Sequence, residues 1–151
     1  MIIQQLNRTD PERIQISVKN VDGGGSITTG FGAMLVTAGA SIDGISAVKS
    51  TGAGVKGFVG VSVQDIAINS YGLVTAWGYV ASVQLSNVGS SITVTAGDTL
   101  IHGAVAGTFF SSVVAQTMST LLYKYVIGAT TVPVDISNLN QSFVSGIVRA
   151  I

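Results

Sequence analysis

The sequence predicts an all-β protein, a compact small β-barrel or sandwich carrying one short helix and an extended N-terminal arm. Three observations carry this expectation. Runs of about five to eight residues alternate apolar and polar side chains, the period of a half-buried strand. Turn signals built on Gly, Asp and Asn punctuate them about every 8–12 residues, the spacing of barrels and sandwiches. No repeat of fixed period marks a solenoid or a propeller. The chain has 151 residues, enough for about one domain. It divides into an N-terminal arm, residues 1–12, and a single β domain, residues 13–151.

The elements follow in order. Met1 to Leu6 is apolar and amide-rich, and Asn7 to Glu12 then holds two of the seven acids and one of the two prolines. Pro11 biases Asp10 toward an extended conformation. A frayed terminus is one reading of this segment. An arm that docks on a neighbouring subunit is the other, because Ile2, Ile3 and Leu6 are apolar for a loose tail. Arg13 to Lys19 alternates strictly and reads as a strand, and Asp22-Gly23-Gly24-Gly25-Ser26 as a flexible turn. Ala33 to Val36 and Ile45 to Val48 are short strands. Val55, Gly57, Val59, Val61 and Val63 are expected on one face of a longer strand, with Phe58 on the other. After a Tyr71-Gly72 turn, Leu73 to Gln84 forms another strand, and Gly78 inside it marks a bulge or sharp bend. Ile92 to Val94 leads into an Ala96-Gly97-Asp98 turn. Leu100 to Phe110 is apolar and broken by Gly103 and Gly107. In Ser111 to Leu122 the residues Val114, Met118, Leu121 and Leu122 follow a helical stripe, so a short helix is expected there. Tyr123 to Ile127 returns to strand, and Phe143 to Ile151 alternates to the last residue.

Composition narrows function. Charged residues make up 9% of the chain, against about 25% in an ordinary soluble domain. Seven basic residues balance seven acidic ones. A neutral chain has no phosphate-neutralising field, so nucleic-acid binding is not expected. Ser, Thr and Gly supply the polar surface, with 17, 14 and 19 residues. There is no Cys, which excludes disulfides and thiolate metal sites. The N-terminus lacks the apolar core of a secretory signal. Polar residues interrupt every apolar run well short of about 18, so no membrane-spanning helix is expected. No cofactor is implied.

Four constellations are candidates for chemistry. Gly52-Ala53-Gly54-Val55-Lys56-Gly57 matches a dinucleotide-binding spacing. That motif needs a helix to follow, and Phe58 to Val63 reads as strand, so a hairpin loop is the better account. His102, the sole histidine, lies four residues after Asp98, but no nucleophile elbow accompanies it. It reads as a polar residue at a strand end. The seven carboxylates suggest no opposed pair of the kind a glycosidase needs, and Asp22, Asp43 and Asp98 sit beside Gly as turn residues do. Trp77 and Tyr79 lie two apart and so share a sheet face. They form an aromatic platform or, as is commoner on strands, core or subunit contact.

One resemblance goes further. Phe58-Val59-Gly60-Val61-Ser62, then Tyr71-Gly72-Leu73-Val74, Trp77-Gly78-Tyr79-Val80, the Gly97-Asp98-Thr99-Leu100 turn and the closing Ile147-Val148-Arg149-Ala150-Ile151 resemble the small head-decoration, or cement, proteins of tailed bacteriophages. The likeness covers about residues 13–110 and the last few. It implies a small barrel or β-tulip-like domain that is not an enzyme. It implies a virion protein, commonly a homotrimer, that sits on the outer capsid surface and bridges subunits of the major capsid protein. Contacts are then expected from the arm, at Ile2, Ile3, Gln4, Gln5, Leu6 and Arg8, and from Arg13. The alternative from another class is a carbohydrate-binding module of a phage tail or head fibre, using Trp77 and Tyr79. A small hydrolase built on His102 and Asp98 is a third.

Overall fold

The computed structural model describes residues 13–37, 43–51, 57–85, 93–94, 99–102, 106–111, 126–128, 134–135 and 142–149. They form β1 (Ile14–Asn20), β2 (Gly32–Leu35), β3 (Ser46–Lys49), β4 (Phe58–Ser62), β5 (Tyr71–Leu85), β6 (Thr93–Val94), β7 (Thr99–His102), β8 (Phe109–Ser111), β9 (Val126–Gly128), β10 (Val134–Asp135) and β11 (Ser142–Arg149). Among the described residues there is no α-helix. The fold is all-β, as the alternating pattern predicts.

Five strands close a barrel in the order β1-β3-β2-β4-β5, and β5 pairs back onto β1. The closing ladder is antiparallel and runs from Ile14↔Trp77 to Lys19↔Tyr71. β1 meets β3 in parallel over a short stretch, Lys19↔Ser46 and Asn20↔Ala47. Inside the barrel Val18, Ile27, Ala33, Ala47, Val59, Ile66 and Val74 form one buried cluster. Each buried Val or Ile side chain contributes about 1.5–3 kcal/mol of hydrophobic stabilisation.

β5 is long enough to leave the barrel. Its second half pairs with β11, and β9, β7 and β8 continue that sheet. Val80, Val83, Leu85, Leu100, Phe109 and Val148 are buried there. Phe109 joins the two halves. Its ring meets Phe58 of the barrel edge-to-face, centroids 6.1 Å apart. It also lies over Gly32, where a Cβ would stand 2.7 Å from the ring. A small residue at position 32 is therefore what admits Phe109.

Three sequence expectations change. The strand expected from Val55 to Val63 spans only Phe58–Ser62, and all five residues are buried. The pairing with β2 shifts between Ala33 and Met34 and Gly60 adopts φ +151°, so regular alternation is interrupted between Val59 and Val61. Tyr71-Gly72 is not a turn; both residues belong to β5. The reversal comes earlier, at Asn69, which adopts φ +62° and whose amide donates to the Asn20 carbonyl. Asparagine tolerates this left-handed conformation better than most residues, so the turn signal lay in Asn69 and not in Gly72. Gly78 does mark an irregularity, with φ +103°. The β5 register slips on either side of it, against β1 between Ile14 and Gln15 and against β11 between Val144 and Gly146. Of the expected helix, Ser111 ends β8, and residues 112–122 lie outside the described residues. The N-terminal arm lies outside them as well.

Candidate interaction surface

β1, β5 and β11 carry exposed apolar side chains. Ile14, Ile16, Tyr71, Leu73 and Ile147 on these strands are exposed, Tyr71 by 61%. The register couples none of these five to another of them: Ile14 pairs with Trp77 and Ile16 with the buried Val74. Leu73 lies opposite Ser17, Tyr71 opposite Lys19 and Ile147 opposite Tyr79. Trp77 is the partner of both Ile14 and Arg149. The beginning of β1 and the end of β11 therefore meet at this one residue.

Trp77 and Tyr79 are half-buried. They occupy consecutive same-face positions of the β5–β11 ladder, as their spacing predicts, although Gly78 between them is in a left-handed conformation. The Arg13 guanidinium lies over the Tyr79 ring, 5.4 Å from its centroid. Such a cation–π contact contributes about 0.5–1 kcal/mol at an exposed site. Arg13, expected as a partner contact, and Tyr79, expected as platform or interface, thus belong to one cluster. Arg13 also covers one face of the ring that a sugar would stack upon.

The described carboxylates do different work. Asp43 caps the turn into β3. Its Oδ1 accepts the amides of Ile45 at 2.9 Å and Ser46 at 2.6 Å, and its Oδ2 accepts the Ser46 hydroxyl at 2.7 Å. The Ser46 amide above all, then the Ser46 hydroxyl and the Ile45 amide, pull its pKa from 3.8 to about 2. Asp65 accepts the amide and hydroxyl of Thr29, which lower its pKa in the same order. Asp22 accepts the amides of Gly24 and Lys49, and the Lys49 ammonium stands 3.9 Å away. These are the bonds of turns.

His102 ends β7, as expected of a strand-end residue, and Asp98 lies outside the described residues. Of the glycine-rich motif only Gly57 is described, and a strand follows it, not a helix. Among the described residues no three His, Cys, Asp or Glu side chains gather as metal ligands. Nor is any helix among them long and apolar enough to cross a membrane. Ile2, Ile3, Gln4, Gln5, Leu6 and Arg8 lie outside the described residues.

Sequence reading missed the exposure of Ile14, Ile16, Tyr71, Leu73 and Ile147. Alternation in β1 puts Ile14, Ile16 and Val18 on one face, and a buried face was the natural inference. Only Val18 is buried. No protein-family model matches the chain, and no curated protein is similar to it.

Proposed function

We propose that the protein is a structural component of a bacteriophage head, one that decorates the capsid and strengthens it by bridging major capsid protein subunits. The observation that carries this reading is the set of large apolar side chains left exposed on β1, β5 and β11 of a chain only 9% charged. Large apolar side chains left exposed on the isolated chain suit contact with other proteins. Low charge suits it to close packing, since a buried unpaired ion costs several kcal/mol. The resemblance of Phe58–Ser62, Trp77–Val80 and Ile147–Ile151 to head-decoration proteins supplies the partner. Assembly as a homotrimer would let weak contacts add, because simultaneous engagement raises overall avidity well above that of any one contact. A protein that binds the finished shell and not its separated subunits favours the intact shell by mass action.

The arm residues Ile2, Ile3, Gln4, Gln5, Leu6 and Arg8 are the proposed capsid contact, adding an extended segment to a capsid sheet edge. The test is deletion of residues 1–10. The truncated protein should keep its circular dichroism spectrum and native mass and fail to decorate isolated heads seen by electron microscopy. Normal decoration by the truncated protein would refute the arm's role. A full-length protein that binds no head would refute the reading itself.

A further inference from the structure

Arg13 and Asp65 each keep bonding capacity that their own chain leaves unused. Of Arg13, Lys19 and Lys49, only Arg13 is exposed. Its guanidinium rests on the Tyr79 ring, and among the described residues no carboxylate pairs with it. Asp22 and Asp43 use both carboxylate oxygens within the chain. The amides of Gly24 and Lys49 take those of Asp22, and Ile45 and Ser46 take those of Asp43. Asp65 bonds Thr29 twice, but through Oδ1 alone. Its Oδ2 accepts no bond from the described residues, on a loop whose residues 67–70 are all exposed.

Exposed apolar side chains accompany both groups. Ile14, next to Arg13, is 41% exposed and is the register partner of the half-buried Trp77. Ile68, 46% exposed, shares the loop with Asp65 and lies in the turn that Ser70 N closes by donating to Ala67 O. That loop enters β5 at Tyr71. At about 3.3 Å per residue, Trp77 stands about 20 Å further along the strand. One patch is a cation with an aromatic and an aliphatic side chain, and the other is an anion with an aliphatic one. They are complementary, and they are too far apart to meet within one chain. Two unlike faces joined head to tail use one neighbour each, and such contacts close into rings. Trp and Arg are also among the side chains that most often dominate protein–protein contacts.

We infer that the Arg13–Trp77 patch of one copy receives the 64–70 loop of a second copy of this chain. Asp65 Oδ2 accepts from the Arg13 guanidinium, and Ile68 packs against Ile14 and Trp77. Repeated from copy to copy, this contact closes a ring of three. An arginine–carboxylate pair fixes geometry as well as adding attraction, so it decides which surfaces meet, while the apolar side chains exclude water around it. The inference rests on the homotrimer of the decoration reading and names its subunit interface.

The test follows native mass and tryptophan emission of the full chain over a dilution series. Trp77 is the sole tryptophan, so its emission should move to longer wavelength at the dilution where the three-chain mass is lost. Arg13→Gln should raise the concentration at which the ring dissociates about tenfold. Asp65→Asn should do the same, and its amide oxygen can still accept both Thr29 bonds, so the turn survives. Combined, the two changes should cost little more than either alone, because each removes the same pair. Ile68→Ser, at an exposed turn, should also weaken the ring and keep the parent's circular dichroism spectrum. Raising salt to about 0.5 M should weaken the parent more than Asp65→Asn. Additive losses, or an unchanged ring in both charge variants, would overturn the inference. So would a parent of one-chain or two-chain mass. An Arg13→Gln protein that keeps its ring but loses the heads would put Arg13 against the capsid and overturn it too. Heads decorated by a single-chain protein would sink this inference and leave decoration standing. A ring that behaves as expected but binds no head would sink the decoration reading alone.

Discussion

At the scale of single residues, Asn20 fastens the barrel's end. It is fully buried. Its Nδ2 donates to Ile66 O at 2.8 Å and to Gly25 O at 3.1 Å, and its Oδ1 accepts Asp22 N at 2.8 Å. Asn20→Asp keeps the acceptor but loses both donated bonds and faces two carbonyls with a charge. It should lower stability by about 2–4 kcal/mol, read as a fall in the urea midpoint. Asp43 and Asp65 set the acid response. Both have folded pKa values below the ordinary 3.8. Their contribution is present above that value and is lost as pH falls from about 4 toward about 2. Urea midpoints should therefore drop across that window, and more shallowly in Asp43→Asn, which is also less stable at neutral pH. Both carboxylates face solvent, so added salt should flatten the step. The glycines beside Asp22 and Asp43 announced these turns in the sequence. The carboxylates' partners were not legible, since Thr29 lies 36 residues from Asp65.

At the scale of elements, alternating strands were legible and strands dry on both faces were not. β1 alternates and was placed within a residue. β4 reads as a single valine face, yet it is buried on both sides and bulged at Gly60, so period-2 reasoning failed there. Gly60→Ala puts a methyl group against the Thr75 backbone at φ +151°. We expect a loss of about 2–4 kcal/mol, visible as a lower melting temperature. Phe109 tests the junction between barrel and second sheet. It is 1% exposed and packs on Phe58. Phe109→Ala should cost about 3–5 kcal/mol in a denaturant titration. If the two halves unfold separately, the variant will show two transitions where the parent shows one.

At the scale of the whole molecule, the class of fold was legible because 31 Ser and Thr residues and regular turns leave little else, whereas the cluster at Trp77 was not. It is made by register: Trp77, Ile14 and Arg149 are distant in sequence and adjacent only because β5 pairs with both β1 and β11. A homotrimer predicts a native mass near three times the 15.4 kDa chain, to be read by native mass spectrometry; a single-chain mass at high concentration would contradict it. The meeting at Trp77 has a practical outcome. Residues 14 and 149 each flank it across one strand spacing, so their backbones lie within about 11 Å. Three or four linker residues can cross that gap. Joined head to tail there, with residues 1–12 removed, the polypeptide becomes a seamless loop that should fold and melt at a higher temperature, because its unfolded form has fewer conformations to explore. Such a loop isolates what the barrel does from what the N-terminal segment does.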